Sequence, residues 1–462
     1  MFLKLLLLTI VSVVFSDHCY FNAPCTYQMF SSKTPYESVR GDIREAPDLP
    51  GCSVGAIWSL HRHGNRNPGS SVLENMKKIR DKLLAEIGKQ FDHNNYTHCL
   101  QDYEDCLLSR WNSTIETSSS YLTGTGYEEL YGIGKRIRQR FLNITKFPTK
   151  GFYFRPTNEQ RTITSARAFV HGLTDGTGLD LFRNIDSPWQ KDDVIRPYEM
   201  CTKYQEQVKN GKTLADELAA YDSSSELHAV KDRVQQRLKI DYQITADETY
   251  DLYEYCRFHR SWSPNLKDPW CAFFSDEDLE ILEYRDDVRH YYRNGYGSAI
   301  NVKLGGAPLH DLYDNLEGIT GEEAEEVISY FTHDTMFEMV ISALGLYKDL
   351  EPLRGSKRDP NRSWRTSEIA SLATNLIAVL YRCEQPAHST HRVQIFINEK
   401  NTSLCPEEGC SWEEFENKFK IFSKYHNDFC ESNKNDNTNV SNSSNMRFLN
   451  LFLFLLPVML VT

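Results

Sequence analysis

Residues 53–60 form an apolar run, Ser-Val-Gly-Ala-Ile-Trp-Ser-Leu, that breaks at once into His61-Arg62-His63-Gly64-Asn65-Arg66-Asn67-Pro68. A short, nearly continuous apolar stretch is the pattern of a buried strand, and a polar cluster at its end lies at the edge of a sheet. The arrangement recurs. Residues 152–154 and 327–331 are further short strands, the first followed by Arg161 and the second by Thr332-His333-Asp334. Residues 376–381 and 393–397 are late strands, the second alternating at Val393, Ile395 and Ile397 as a half-buried strand does.

Between these runs the period changes to that of a helix. Met76, Ile79, Leu83, Leu84 and Ile87 mark a helix over 74–87, and residues 165–173 and 336–346 mark two more. Ser275 with Asp278 and Ser411 with Glu414 are capping-box pairs, the first opening a helix through Tyr292 and the second a short helix with Trp412, Phe415 and Phe419. Residues 175–268 are densely charged and read as an inserted helical region. Alternating strands and helices, with polar clusters at strand ends, predict an open α/β sheet whose site lies at the carboxyl edge.

Composition and termini bound the setting. With 40% hydrophobic residues the 462-residue chain has ample material for a core and is not a disordered protein. A net charge of −12 argues against a nucleic-acid binder, whose affinity comes from Lys and Arg, but allows a small polyanion in a local basic pocket. Residues 1–16 carry Lys4, an apolar run and small residues near Ser16, the pattern of a secretory signal. Residues 446–462 form an apolar tail behind a polar spacer with Ser441, Ser443 and Ser444, the pattern of a glycolipid-anchor (GPI) signal that would tether the protein to the outer membrane surface. Lys4 and Arg447 are the basic residues of these two segments, so a processed chain is more acidic still. Sequons begin at Asn95, Asn112, Asn143, Asn361, Asn401, Asn439 and Asn442 and fit a glycosylated surface. In an oxidising compartment the 12 cysteines read as disulfides, with Cys256–Cys271 and Cys405–Cys410 as candidate local bridges.

The cluster after the first strand carries the most chemistry. Arg62 and Arg66 flank His63 and Gly64. Guanidinium forks match phosphate oxygens and stay charged, glycine lets an anion approach the backbone, and a neutral imidazole among arginines can attack phosphorus. A solvated basic loop is the bland alternative. For His333-Asp334, a helix cap by Asp334 is the bland reading and a phosphate donor beside a proton donor the functional one. Arg155 and Arg167 lie near Arg161, and any of the three can be a surface arginine.

Together these segments resemble the histidine acid phosphatase family. The resemblance rests on Arg62-His63-Gly64-Asn65-Arg66-Asn67-Pro68, on Gln160-Arg161-Thr162-Ile163-Thr164-Ser165 and on His333-Asp334, in that chain order. Lys33-Thr34-Pro35-Tyr36, Leu282-Glu283-Tyr284, Gly295-Tyr296-Gly297, Leu344-Gly345-Leu346-Tyr347 and Asn398-Glu399-Lys400 are similar to the multiple inositol polyphosphate phosphatase branch. The resemblance implies an α/β core with an open mixed sheet, flanking helices and an α-helical cap inserted at about 175–275, within one domain spanning 17–445. It implies His63 as nucleophile, Asp334 as proton donor, and Arg62, Arg66, Arg161 and His333 as phosphate ligands. No metal or other cofactor is required by that scheme, because guanidiniums can neutralise the phosphoryl oxygens.

Two departures stand out. That branch usually has His-Ala-Glu where this chain has His333-Asp334-Thr335, so the acid is shorter and one position earlier. Asn67 stands where an aromatic residue is common. The expected function is therefore a secreted or surface-tethered hydrolase of inositol polyphosphates. The alternatives are a broad-specificity acid phosphatase and a catalytically idle surface glycoprotein that binds phosphorylated ligands. A phosphoglycerate mutase relative fits less well, lacking the Arg66-Asn67-Pro68 continuation.

Overall fold

A computed structural model describes residues 27–92, 100–142, 151–176, 181, 185, 188–263, 269–320, 326–384 and 390–431. The expected leader 1–16, the tail 446–462 and the sequons at Asn95, Asn143, Asn439 and Asn442 lie outside the described residues.

The chain builds a seven-stranded mixed sheet from β1 (Cys52–Arg62), β2 (Phe152–Pro156), β3 (Glu326–Thr332), β4 (Asn375–Cys383), β5 (His391–Ile397), β6 (Lys400–Asn401) and β7 (Cys410–Ser411), in the order β2-β3-β1-β4-β5-β6, with β7 also on β5. β2, β3 and β1 run parallel, and β4 and β5 then turn antiparallel. This is the expected open α/β sheet.

The pleat sorts side chains to two apolar cores. Ala56, Trp58 and Leu60 of β1 face one core together with Leu376, Ala378 and Leu380 of β4, while Ile57, Ile377 and Val379 face the other. Against the second face pack α2 (Gly124–Phe141), through Leu130, Ile133 and Ile137, and α3 (Gln160–Thr174), through Ala166, Phe169 and Val170. The first face is covered by α8 (Gly306–Ile319) and α9 (Asp334–Ala343), through Leu309, Leu312, Met336 and Val340. Burial of both faces corrects the half-buried reading of β5. Val393, Ile395 and Ile397 enter the first core, but Phe396 enters the second, and Gln394 is buried with its amide satisfied by Tyr381 and the Glu407 carbonyl.

Helix α1 (Ser70–Asp92) follows β1, longer than its periodic stretch. The charged region holds α4 (Lys212–Asp222), α5 (Ser225–Leu238) and α6 (Ala246–Trp262), the last opened by a Thr245–Glu248 capping box. α7 (Asp276–Asn294) and α10 (Trp412–Phe419) begin at the Ser275–Asp278 and Ser411–Glu414 boxes read from the sequence. α7 packs on α4, α5 and α9, joining the inserted helices to the core. Much of the charge in this region is internal: Arg257 is buried against Glu254 and Asp286, and Arg362 against Asp287.

Among the described residues four disulfides staple the fold. Cys256–Cys271 and Cys405–Cys410 close the two local loops named above. Cys52–Cys383 joins β1 to β4 at a registered pair, closing a loop of 331 residues. In the chain-entropy picture a loop that long contributes at most about 6 kcal/mol. Cys201–Cys430 fastens the segment before α4 to the C-terminal region. Among the described residues no helix is long and apolar enough to cross a membrane.

Candidate active site

Parallel pairing of β1 with β3 sets the site. Arg62 lies opposite Thr332, and the His63 amide donates to the Thr332 carbonyl at 3.0 Å, so both polar clusters emerge at one sheet edge. Arg161 begins α3, just beyond the end of β2. A cavity at this edge is lined by His63, Arg66, Arg161, His333, Asp334 and Thr335, together with Arg196, Tyr198, Glu199, Tyr204, Lys209 and Arg293. Arg62 lies directly beneath, its Nη2 donating to Asp334 at 3.2 Å. The structure thus gathers all six residues singled out in the sequence.

The loop carrying His63 is held by close approach. A Cβ on Gly64 would stand 2.4 Å from the Gly126 carbonyl oxygen, so only glycine lets the loop rest on the first turn of α2. The Gly64 amide donates to Ser165 at 3.1 Å and the Asn65 amide to Glu129 at 2.7 Å. The Asn65 side chain reaches the Ser261 carbonyl at 2.6 Å, which locks α6 over the loop.

Burial of Glu129 has a measurable consequence. Burial pushes its carboxyl up to about 7, against the amides of Asn65 and Tyr36 and the charge of Arg62. Between the ordinary carboxyl range and about pH 7 the folded chain therefore holds a proton that the unfolded chain has lost, and stability falls as pH rises through that window. Glu129→Gln keeps an acceptor for Asn65 without the charge. Thermal unfolding at pH 5 and pH 8 should show a smaller drop in Tm for the variant than for the parent; equal drops would place the pH dependence elsewhere.

His63 is buried, and its Nδ1 lies 2.8 Å from the Gly64 carbonyl. A carbonyl only accepts, so Nδ1 carries the proton and Nε2 keeps its lone pair. Burial, then Arg62, Arg161, Arg66 and His333, push its pKa well below the usual range, leaving a neutral imidazole. His333 is the N-cap residue of α9, so the cap reading of Asp334 gives way to an acid in the first turn. Arg161 approaches His333 Nδ1 at 3.4 Å and can only donate, so the His333 proton sits on Nε2, 3.0 Å from Thr157 Oγ1. His61, by contrast, is a core residue stacked on Phe331 and hydrogen-bonded to Ser59.

The site is cation-rich. Burial, Arg161 and Arg62 bring Arg66 down to about 10, and burial lowers Arg161 as well. For Asp334, burial acts to raise the pKa, but Arg62, His290, Lys33 and His63 outweigh it and hold the carboxyl well below the usual range. Guanidiniums crowded around Asp334 make an oxyanion trap, with Glu159 pairing Arg161 and Arg196 and Glu199 pairing Arg196 at its edge.

Sequence reasoning missed Arg196, Tyr198, Tyr204, Lys209 and Arg293. Arg155 turns out to position one of them: it stacks on Trp189 and pairs with Asp192, whose carboxylate caps the amides of Val194 and Ile195 just before Arg196. Thr332 donates to the Ile195 carbonyl at 2.7 Å, tying that segment to the end of β3. Tyr204 and Lys209 bound a π-type turn, a wide turn often found at functional sites. Arg167 is exposed.

Comparison with known proteins supplies the family and the fold. The chain is 29% identical over 434 residues to a multiple inositol polyphosphate phosphatase 1 of Drosophila melanogaster, covering 90% of this chain and 91% of the relative. The solved structure of Bifidobacterium longum multiple inositol polyphosphate phosphatase with inositol hexasulfate superposes with a TM-score of 0.63 at 16% identity, covering 82% and 94% of the two chains. The phytase of D. castellii superposes with a TM-score of 0.66 at 18% identity, covering 86% and 85%. The model of the histidine phosphatase superfamily (branch 2) matches residues 57–398, which hold both strand-end clusters, and the chain belongs to that family as a histidine-type phosphatase.

Proposed function

We propose that this phosphatase hydrolyses inositol polyphosphates through a phosphohistidine on His63. The observation that carries the reading is His63 itself: its Nδ1 proton is engaged by Gly64, leaving Nε2 as a neutral lone pair beside three guanidiniums. Nε2 forms a bond to phosphorus as the ester P–O bond breaks. Arg62, Arg66 and Arg161 hold the phosphoryl oxygens, joined by His333 once its proton moves from Nε2 to Nδ1 with Thr157 donating to Nε2 in turn, and Asp334 gives its proton to the leaving alkoxide. Water then attacks the phosphohistidine, Asp334 takes the proton from water, and inorganic phosphate leaves. Arg196, Lys209 and Arg293 add positive charge on the cavity wall suited to a substrate with several phosphates. The names of the Drosophila and Bifidobacterium relatives support this substrate class.

The setting belongs to the same proposal: a leader at 1–16, a GPI signal in 446–462, and glycans on an extracellular or cell-surface enzyme. Asn112, Asn361 and Asn401 are exposed, and four disulfides fit an oxidising compartment.

A product-resolved assay tests it. Inositol hexakisphosphate should be hydrolysed with a kcat/KM about tenfold or more above that of glycerol phosphate, since the extra phosphates meet the extra cations. Chelator should leave both rates unchanged. Equal values for the two esters would instead favour a broad acid phosphatase.

A further inference from the structure

The motif Lys33-Thr34-Pro35-Tyr36 has no part in the chemistry above, yet its lysine approaches the same Phe258 ring as Arg66, which lines the cavity. Lys33 ends a one-turn helix, Ser31–Lys33, that is pinned on several sides. Arg62 Nη1 donates to the Ser32 carbonyl at 2.7 Å, the Ser31 amide to Ser367 at 2.8 Å, and the Leu372 amide to the Thr34 carbonyl at 3.1 Å. The same guanidinium that pairs with Asp334 thus holds the turn bearing Lys33.

The ammonium itself is poorly matched. Nζ donates to Ser32 Oγ at 3.0 Å and lies 5.5 Å from the centre of the Phe258 ring, which Arg66 also approaches at 5.8 Å. Glu254 of α6 and Asp286 of α7 are the acids nearest in its field, but both pair with Arg257. Among the described residues no carboxylate lies within ion-pair distance of Nζ. Burial, Arg257 and Arg66, opposed by Glu254 and Asp286, bring the amine down to about 7.

Lys33 and His290 both contribute to the field that lowers the Asp334 carboxyl. On the mechanism proposed above Arg66 holds the transferred phosphoryl, and Lys33, which shares the Phe258 ring with Arg66, is the cation that a neighbouring phosphate of the same substrate meets. We infer that Lys33 is a substrate-binding residue that holds a phosphate on the ring carbon next to the scissile ester. This inference rests on the inositol polyphosphate reading and assigns one contact within it. The amine lacks a fixed counter-ion, so an incoming phosphate supplies one, and the lysine takes up a proton from solvent as it binds.

The competing role is structural: Lys33 with Arg257 would balance Glu254 and Asp286. Kinetics separate the two. Lys33→Met should raise KM for inositol hexakisphosphate about tenfold or more, the worth of a charge-assisted hydrogen bond, and leave 4-nitrophenyl phosphate within about twofold. Lys33→Arg should restore most of the affinity. Calorimetry with inositol hexasulfate, whose groups do not titrate, in buffers of different ionisation heat at pH 7.5 should show more proton uptake by the parent than by either variant. Equal losses on both substrates, or unchanged proton uptake in Lys33→Met, would overturn the assignment while leaving the substrate reading intact. A parent enzyme that hydrolyses 4-nitrophenyl phosphate but neither hydrolyses nor binds the inositol compounds would overturn both.

Discussion

His63→Ala should abolish turnover, by on the order of 10⁴-fold or more, and with it any phosphoenzyme trapped by acid quench. The size follows from the geometry. Among the described residues no other lining side chain offers a free imidazole lone pair: the arginines and Lys209 only donate, Tyr198, Tyr204 and Thr335 carry weakly nucleophilic hydroxyls, and His333 has its Nδ1 turned to Arg161. The variant should otherwise be well behaved. Because burial and three guanidiniums already keep the imidazole neutral, its removal changes no charge, and the oxyanion trap survives. Binding of inositol hexasulfate should therefore stay within a few-fold of the parent. That pairing of lost turnover with kept binding is the signature of a missing nucleophile. Retained turnover, or a labelled phosphoenzyme in the variant, would remove His63 from that role. Loss of binding along with turnover would mean that the loop between β1 and α1 had collapsed.

How much of this was legible in the sequence depends on whether a residue's neighbours in space were also its neighbours in the chain. Arg62, His63 and Arg66 sit within one loop, and the apolar run before them announced both the strand and its exit. His333 and Asp334 were legible for the same reason, and parallel pairing of β1 with β3 brought the two loops together. The capping boxes at Ser275 and Ser411 were readable because a cap is a contact over three residues. Arg196, Lys209 and Arg293 were not legible. Arg196 and Lys209 come from the charged helical region and Arg293 from the end of α7, and contacts remote in sequence, Thr332 on the Ile195 carbonyl and the Cys201–Cys430 bridge, hold the first two segments. Strand β5 shows the opposite error. Its alternation was real, but both faces of this sheet are covered, so a polar Gln394 between apolar neighbours is buried and hydrogen-bonded. Lys33 is an intermediate case: the motif was visible, and its place on the Phe258 ring with Arg66 was not.

Asp334→Asn should separate substrates by their leaving groups. An inositol alkoxide leaves poorly without a proton, so its esters should slow by about 10²–10³-fold, while 4-nitrophenyl phosphate, whose phenolate leaves unaided, should slow by less than about tenfold. The structure adds a condition on when Asp334 can act. In the empty site Arg62, His290, Lys33 and His63 outweigh burial and hold the carboxyl well below its usual range, ionised and unable to donate. A bound polyanion opposes those cations, which raises the carboxyl's affinity for a proton, so the acid is armed by the substrate it serves. The sign is definite: kcat for inositol esters should fall as pH rises through the pKa of Asp334 in the complex, and that limb should vanish in Asp334→Asn. For kcat/KM, which reports free enzyme, the Asp334 ionisation should lie at lower pH than it does in kcat. Charge argues against a trivial loss of binding. Asparagine still offers an oxygen to Arg62 Nη2, 3.2 Å away in the parent, and removing the carboxylate makes the trap more positive, so KM should hold or fall. A uniform loss on both substrates, or a basic limb that persists in the variant, would assign the proton to another group. His290 would then be the first to examine, since it shares the field of Asp334 and pairs with Glu338 one turn further along α9.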